Sequence, residues 1–213
     1  YRHNGITAFA SELKGLLVLV TNPVDVMVRV AAEASGLNPE QVIGTGTMLD
    51  TARLRQILAV ELGVDPRSVH AQVVGEHGDS EVVLWSGARI GGVPLQAWPG
   101  WSGEQEDSIT ERVRQAAYEI IARKGATNHA IGLVTAALLR WSKRTGGRVL
   151  TVSRVQDGAM GMEGIALSLP TVMSPHGAVR VLEPELTMRE REAVLRSADV
   201  LQSAWRELKN APR

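Results

Sequence analysis

Histidine is the first side chain to examine for chemistry, because an imidazole gains and loses a proton near neutral pH. The chain has five histidines, at positions 3, 70, 77, 129 and 176. Only His77 lies in a segment suited to exposing a reactive ring, Val74-Gly75-Glu76-His77-Gly78-Asp79-Ser80. The flanking glycines let the backbone pass close to a ligand and leave room around the ring. His77 is therefore the candidate acid and base, and the alternative is a turn histidine between two strands.

Asp50 and Arg53 form a second candidate pair, because they lie three positions apart on one face of a predicted helix. A carboxylate there could hold a histidine ring, and the planar guanidinium could make two parallel hydrogen bonds to an anionic substrate. Taken alone, the two residues favour a plainer interpretation, a surface ion pair that contributes little.

The front of the chain alternates between predicted strands and helices. The apolar run at 16–20 predicts a strand covered on both faces, as in a parallel sheet. Asn22 is then either the N-cap of a helix over 23–35, which begins with Pro23, or a residue at the carboxyl end of a parallel strand, where ligands bind. A strand over 41–47 and a helix over 49–62 continue the alternation, which is typical of an α/β sheet.

Beyond residue 65 the pattern changes from alternating to mixed. It predicts strands over 69–74, 81–90 and 93–95, helices over 104–123 and 127–141 (the second of them buried), and antiparallel strands over 148–154, 164–169 and 178–182. Thr187 and Glu190 form a capping box that opens the last helix. We therefore predict an α/β fold: a parallel α/β unit in 1–65, followed by an α+β domain in 66–213.

Composition argues against several classes of protein. The 213 residues are 44% hydrophobic and carry 23 Lys and Arg against 23 Asp and Glu, so we expect no nucleic-acid or membrane-surface partner. There is no cysteine, which excludes disulfides and thiolate metal sites. No apolar run approaches the roughly 20 residues of a membrane helix, and no signal-peptide pattern opens the sequence, so we expect a cytoplasmic protein. The sequence also lacks the G-x-G-x-x-G, P-loop and H-E-x-x-H patterns, and we expect no metal.

Four segments in order resemble the lactate dehydrogenase family of the lactate/malate dehydrogenase superfamily. They are Val20-Thr21-Asn22-Pro23-Val24-Asp25, Gly44-Thr45-Gly46-Thr47-Met48-Leu49-Asp50-Thr51-Ala52-Arg53, Gly75-Glu76-His77-Gly78-Asp79-Ser80-Glu81, and Lys124-Gly125-Ala126-Thr127-Asn128-His129-Ala130-Ile131-Gly132. The resemblance implies NAD as cofactor, a small 2-hydroxy or 2-oxo acid as substrate, and L-lactate oxidation to pyruvate as the reaction. It also implies that 1–65 are the remaining, C-terminal part of a Rossmann-like parallel NAD-binding sheet and that 66–213 are the α+β catalytic domain.

The resemblance also implies a role for each matched residue. His77 would donate and accept the proton of the substrate oxygen, with Asp50 holding the ring, and Arg53 would pair with the substrate carboxylate. The remaining roles are shared by residues that line the substrate or the cofactor: Asn22 and Thr127 at the substrate, and Val20, Thr21, Asn22, Thr45 and Ile131 at NAD.

The sequence departs from the family at its front. The glycine fingerprint, the ribose-binding acid and the mobile loop that sorts lactate from malate have no counterpart here, so we expect the chain alone to be inactive. Two alternatives stay open: a malate dehydrogenase, and a non-catalytic remnant subunit or fragment. Glu81 after the Gly-Asp-Ser motif, together with Thr127, favours lactate over malate.

Arg55 and His70 imply regulation. In the bacterial members of the family, the matching arginine and histidine bind fructose 1,6-bisphosphate across a subunit interface. The resemblance therefore implies this allosteric effector and a homotetramer. The residues alone favour a solvated arginine and an ordinary strand-end histidine.

Overall fold

The front of the molecule is a short parallel unit. The computed structural model describes residues 15–124 and 128–211. Strand β1 (Leu17–Leu19) pairs in parallel with β2 (Val42–Gly44), and helix α1 (Val24–Ser35) connects them through a 3₁₀ turn (Pro39–Gln41). The predicted parallel front is present, although β1 is only half-buried.

The structure confirms two predicted helix C-termini and contradicts the predicted N-cap of α1. Gly36 ends α1 and Gly63 ends α2 (Met48–Leu62), both in the left-handed backbone conformation that favours glycine. Asn22 does not cap α1. Pro23 is the N-cap, because its backbone is still extended while its carbonyl accepts the first helical hydrogen bond, from the Met27 N–H at 3.0 Å.

The back of the molecule adds three antiparallel strands to this unit, β8 (Arg148–Asp157), β9 (Glu163–Ser174) and β10 (Gly177–Val181). One sheet in the order β1-β2-β8-β9-β10 results, joined where Gly44 lies opposite Ser153. The antiparallel strands confirm the predicted change of pattern. The sheet contains strands from both sides of residue 65, and the domain boundary there stays a prediction.

The predicted strands over 69–74 and 81–90 each divide in two. β3 (Val69–His70), β6 (Arg89–Ile90) and β7 (Val93–Pro94) form one small sheet, while β4 (Val73–Val74) pairs with β5 (Val82–Val83). The division follows burial: His70 is exposed on the surface, whereas both residues of β4 are fully buried. The segment therefore passes from an edge into the interior, next to His77.

Three further helices complete the fold: α3 (Gly103–Lys124), α4 (Asn128–Ser142) and α5 (Met188–Asn210). The Thr187–Glu190 capping box opens α5 as predicted. The prediction that α4 is buried is wrong, because among its described side chains only Val134, Leu138 and Ser142 are buried, and Leu133 is 74% exposed. None of the helices among the described residues is long and apolar enough to cross a membrane.

The hydrophobic core surrounds the segment that carries His77. One cluster packs α2 and α3 against β3 and β4 through residues such as Leu54, Leu58 and Val113. A second packs α5 against β4 and β9 through Val74, Leu169 and Val194. The start of α2 and the β4–β5 connection are therefore held between two packed layers.

Candidate active site

His77 and Asp50 are in direct hydrogen-bonding contact. His77 follows β4, and its Nδ1 lies 2.6 Å from Oδ2 of Asp50, which stands in the first turn of α2. Asp50 is 3% exposed, while the side chain of His77 is 22% exposed. The arrangement gives a buried carboxylate behind a ring that solvent can still reach.

Thr47, the N-cap of α2, and Thr51 in its first turns fix this helix against β4. The Thr47 hydroxyl donates to the carbonyl of Val73 at 2.6 Å, and the Thr51 hydroxyl accepts from the N–H of the same residue at 3.0 Å. Because β4 leads directly into the His77 segment, these bonds set the distance between the two partners of the His77–Asp50 pair.

Arg53 completes the group from one turn along α2. Its Nη1 lies 3.1 Å from Oδ1 of Asp50, and its side chain is 12% exposed. The pair is therefore not the surface ion pair that the two residues alone favoured. Asp50 offers one oxygen to His77 and the other to Arg53, which leaves the remaining guanidinium N–H groups of Arg53 for an anion.

The carboxylates around His77 set its protonation. Burial lowers the pKa of His77, but the hydrogen bond and charge of Asp50, with the charges of Asp25 and Glu81, outweigh it and leave the pKa raised. The surroundings thus favour an imidazolium, a ring that can give a proton to an oxygen.

Two buried acids near the ring were missed by the sequence analysis. Asp25 is 2% exposed, and burial raises its pKa to about 6. Glu81 is 4% exposed, and burial with the nearby charge of Asp50 raises its pKa to about 8. The available signal was their setting: each acid adjoins apolar residues, Val24 and Val26 in one case and Val82 in the other.

The predicted cofactor residues of the front unit lie at the carboxyl end of β1. Val20, Thr21 and Asn22 follow this strand directly and are exposed. Thr45 is buried beside them, and its N–H donates to the carbonyl of Leu19 at 3.1 Å. Exposed groups at the carboxyl end of a parallel pair suit the binding of a nucleotide.

The other two predicted residues of the substrate and cofactor sites belong to the fourth motif. Ile131 lies in α4 and is half-buried. Thr127 lies outside the described residues. Within those residues, no group of three or more His, Asp or Glu side chains could hold a metal ion.

Arg55 and His70 lie together on the far side of α2. They line a cleft of about 560 Å³, together with Arg67 and Arg148. The Arg55 Nε–H donates to the carbonyl of Ala71 at 2.9 Å. Burial and the nearby charge of Arg148 lower the pKa of Arg55, which indicates that cationic groups crowd this cleft.

Comparison with known proteins identifies the family. The sequence model of the lactate/malate dehydrogenase α/β C-terminal domain matches residues 47–211. The chain belongs to the lactate/malate dehydrogenase family. It is 46% identical over 208 residues to an L-lactate dehydrogenase of Synechococcus sp., and 48% identical over 196 residues to that of Thermus aquaticus. It covers 68% and 63% of the length of these relatives, which in turn match 93% and 90% of this chain.

Solved structures of lactate dehydrogenases have the same fold. A minor L-lactate dehydrogenase from Enterococcus mundtii superposes with a TM-score of 0.90 at 32% identity, over 98% of this chain and 69% of that one. An L-lactate dehydrogenase from Clostridium thermocellum gives 0.89 at 33% identity, over 98% and 70%. These likenesses confirm the family resemblance and the α/β class predicted from the sequence.

Proposed function

We propose that this chain supplies the acid–base and substrate-binding part of an NAD-dependent L-lactate dehydrogenase, which interconverts lactate and pyruvate. The observation that carries the proposal is the joint placement of His77, Asp50 and Arg53, with one buried carboxylate between an imidazole and a guanidinium. The likeness to named L-lactate dehydrogenases over most of the chain supports the reaction class.

His77 is the proton donor in the direction of pyruvate reduction. Its Nδ1 is engaged by Asp50, so Nε2 is the ring atom that gives the proton to the substrate carbonyl oxygen. Asp50 holds the ring in one orientation and stabilises the imidazolium before transfer. In lactate oxidation the same Nε2 takes the proton of the hydroxyl.

Arg53 binds the substrate carboxylate. A guanidinium makes two parallel hydrogen bonds to a carboxylate, and its near-burial in this fold keeps water from weakening them. Asn22 hydrogen-bonds the substrate from the end of β1, and the family resemblance implies that Thr127 also contributes to substrate binding.

Val20, Thr21, Asn22, Thr45 and Ile131 would hold NAD. The exposed carboxyl end of β1 fits a dinucleotide edge, as expected for a parallel unit. NADH, when bound, supplies the hydride that reduces the carbonyl carbon. The residues of this chain orient the carbonyl for it and deliver the proton.

NADH oxidation by the full-length protein, with pyruvate and with oxaloacetate, tests the proposal. We expect kcat/KM to be far higher for pyruvate. A preference for oxaloacetate would make the protein a malate dehydrogenase. The absence of turnover with either acid would favour a non-catalytic subunit.

The cleft beside Arg55 and His70 is the proposed site of a fructose 1,6-bisphosphate effector in a cytoplasmic homotetramer. Arg67 and Arg148 add two further guanidinium groups to this cleft, and guanidinium groups make strong hydrogen bonds to phosphate. An effector can shift the enzyme only if it prefers one quaternary state. We expect it to move the pyruvate saturation curve of the full-length protein to lower concentration, and Arg55→Gln to abolish that response.

The exposed variant Arg191→Gln serves as the control for the effector site. An unmoved wild-type curve, or an equal response in Arg55→Gln, would refute the allosteric proposal. Sedimentation analysis of the same samples tests the tetramer.

A further inference from the structure

Asp25 makes a direct contact with the candidate catalytic histidine that the proposed reaction does not use. It lies in the first turn of α1, and its Oδ2 accepts a hydrogen bond from the backbone N–H of His77 at 2.7 Å. Its other oxygen, Oδ1, is buried with no hydrogen-bond partner among the described residues. Burying a carboxylate with a single hydrogen bond costs folding free energy, which suggests that the bond to His77 has a function.

The backbone before the reactive ring is fixed residue by residue. The N–H of Gly75 donates to Ser168 of β9 at 2.8 Å, and that of Glu76 donates to the Ser197 hydroxyl of α5 at 2.8 Å. Asp25 takes the third N–H in this series, that of His77 itself. Three successive peptide groups are therefore held by three different elements.

The bond also connects two segments of the site. Asn22 lies at the carboxyl end of β1, and Asp25 follows it by three residues. His77 lies between β4 and β5. Since α1 is a rigid element, the Asp25 bond fixes the histidine relative to the segment that would hold substrate and cofactor.

The charges that face Asp25 come from few elements. Glu76 and His77 approach from the β4–β5 connection, and β8 contributes the uncharged Ser153. A small cavity beside Asp25 is lined by Arg29 of α1 and by uncharged residues of β9 and α5, namely Ile165, Ala166, Leu201, Gln202 and Trp205, with Val26 of α1. His77 thus has Asp25 on its backbone side and Asp50 on its ring, and the charge of Glu81 also acts on the ring.

We propose that Asp25 is the positioning residue of His77: it anchors the backbone of the histidine through the peptide N–H and adds a negative charge that favours the protonated ring. This proposal rests on the proposed function of His77. Because burial raises the pKa of Asp25 to about 6, the carboxyl is neutral below that pH and the charge acts only above it.

Two variants of the full-length protein separate the anchoring role from the charge. Asp25→Asn keeps an oxygen that accepts the His77 N–H but has no charge. Asp25→Ala removes both. Asp199→Asn, which changes an exposed carboxylate of α5, is the control. The measurements are kcat and KM for pyruvate across pH, and the NMR titration of the His77 ring in protein labelled with ¹³C at histidine Cε1.

In Asp25→Ala we expect kcat to fall about 10- to 100-fold at all pH values, as for a small displacement of a reacting group. In Asp25→Asn we expect kcat below pH 6 to stay near the wild-type value. At higher pH the His77 ring should titrate at a lower pH than in the wild type, and the alkaline limb of activity should move with it.

The proposal would be overturned if the pH at which the His77 ring titrates were unchanged in both variants. It would also be overturned if Asp25→Asn lost as much kcat as Asp25→Ala at low pH. The NMR titration needs no turnover. A wild type that fails to reduce pyruvate would therefore refute the proposed function and leave this inference to be decided by the titration alone.

Discussion

At the scale of single residues, the Asp50 carboxylate determines how the site is built. One oxygen lies 2.6 Å from the His77 ring and the other 3.1 Å from the Arg53 guanidinium. The proposed acid–base group and the proposed anion-binding group are therefore fixed to one buried carboxylate. If Arg53 binds the substrate carboxylate as proposed, the substrate lies near the ring of His77.

Arg53→Lys tests the anion-binding role. A lysine keeps the charge but cannot make the two parallel hydrogen bonds of a guanidinium, so we expect KM for pyruvate to rise at least about 10-fold. The dissociation constant for NADH, measured by fluorescence, should stay close to the wild-type value. Arg112→Lys, an exposed arginine of α3, is the matched control. Equal losses for pyruvate and NADH would indicate general misfolding and would contradict the role.

The sequence predicted His77, Asp50 and Arg53 because each residue type is informative by itself and the motifs around them are specific. It did not predict Asp25 and Glu81. An acid in a helix or before a strand is usually a surface residue, so the apolar neighbours of these two acids are only a weak signal, and the folded contacts show that both are buried beside the histidine.

At the scale of the elements, α5 is held to the rest of the fold by Glu190. Its carboxylate accepts hydrogen bonds from the Ser86 N–H at 2.9 Å, the Ser86 hydroxyl at 2.6 Å and the Thr187 N–H at 2.8 Å. Burial raises the pKa of Glu190, but these donors outweigh it and leave the pKa below its ordinary value. The capping box thus also fastens the helix to the segment after β5.

Glu190→Ala should lower the free energy of unfolding by about 1 to 3 kcal/mol, since it removes charge-assisted hydrogen bonds from the partly buried donors of Ser86 and Thr187. Because the folded-state pKa is depressed, this stabilisation is present above the ordinary glutamic acid pKa and is lost as pH falls through the folded value. Urea denaturation at pH 7 and at pH 3 checks both statements. Glu192→Ala, an exposed neighbour on α5, should change little at either pH. A loss that is equal at the two pH values would contradict the account.

Helix ends and the antiparallel back strands could be predicted because glycine, the capping box and apolar periodicity are local signals. The division of 69–74 into β3 and β4 could not. The segment 69–74 is one uninterrupted stretch in the sequence, and the break arises because β3 pairs with β6 whereas β4 pairs with β5.

At the scale of the whole molecule, the pairing that joins the front and back units could not be predicted from the sequence either. The single antiparallel pairing of Gly44 with Ser153 turns a parallel pair and an antiparallel unit into one sheet. Such pairings depend on tertiary packing and leave no periodic signal in either strand.

The buried acids make the stability of the molecule dependent on pH. Burial, and then the charge of Asp50, raises the pKa of Glu81 from 4.5 to about 8. Because the folded-state pKa is raised, the protonated Glu81 carboxyl is the form that favours the folded protein. Its contribution to the free energy of unfolding is fully present below pH 4.5 and is lost as pH rises through about 8.

Glu81→Gln should therefore be as stable as the wild type at pH 5 and more stable at pH 9, by about 1 to 3 kcal/mol. Urea denaturation at the two pH values provides the measurement, and Glu207→Gln on the exposed face of α5 is the control. A gain of the same size at pH 5 would show that the effect is packing rather than ionisation.

The most direct test of the account is a single turnover of NADH with saturating pyruvate in the full-length protein and its His77→Asn variant. If His77 Nε2 supplies the proton, the rate of NADH oxidation should fall about 10²- to 10⁴-fold in the variant. The NADH dissociation constant, measured on the same samples, should stay near the wild-type value. A variant that oxidises NADH within a fewfold of the wild-type rate would contradict the assignment of His77 as the proton donor.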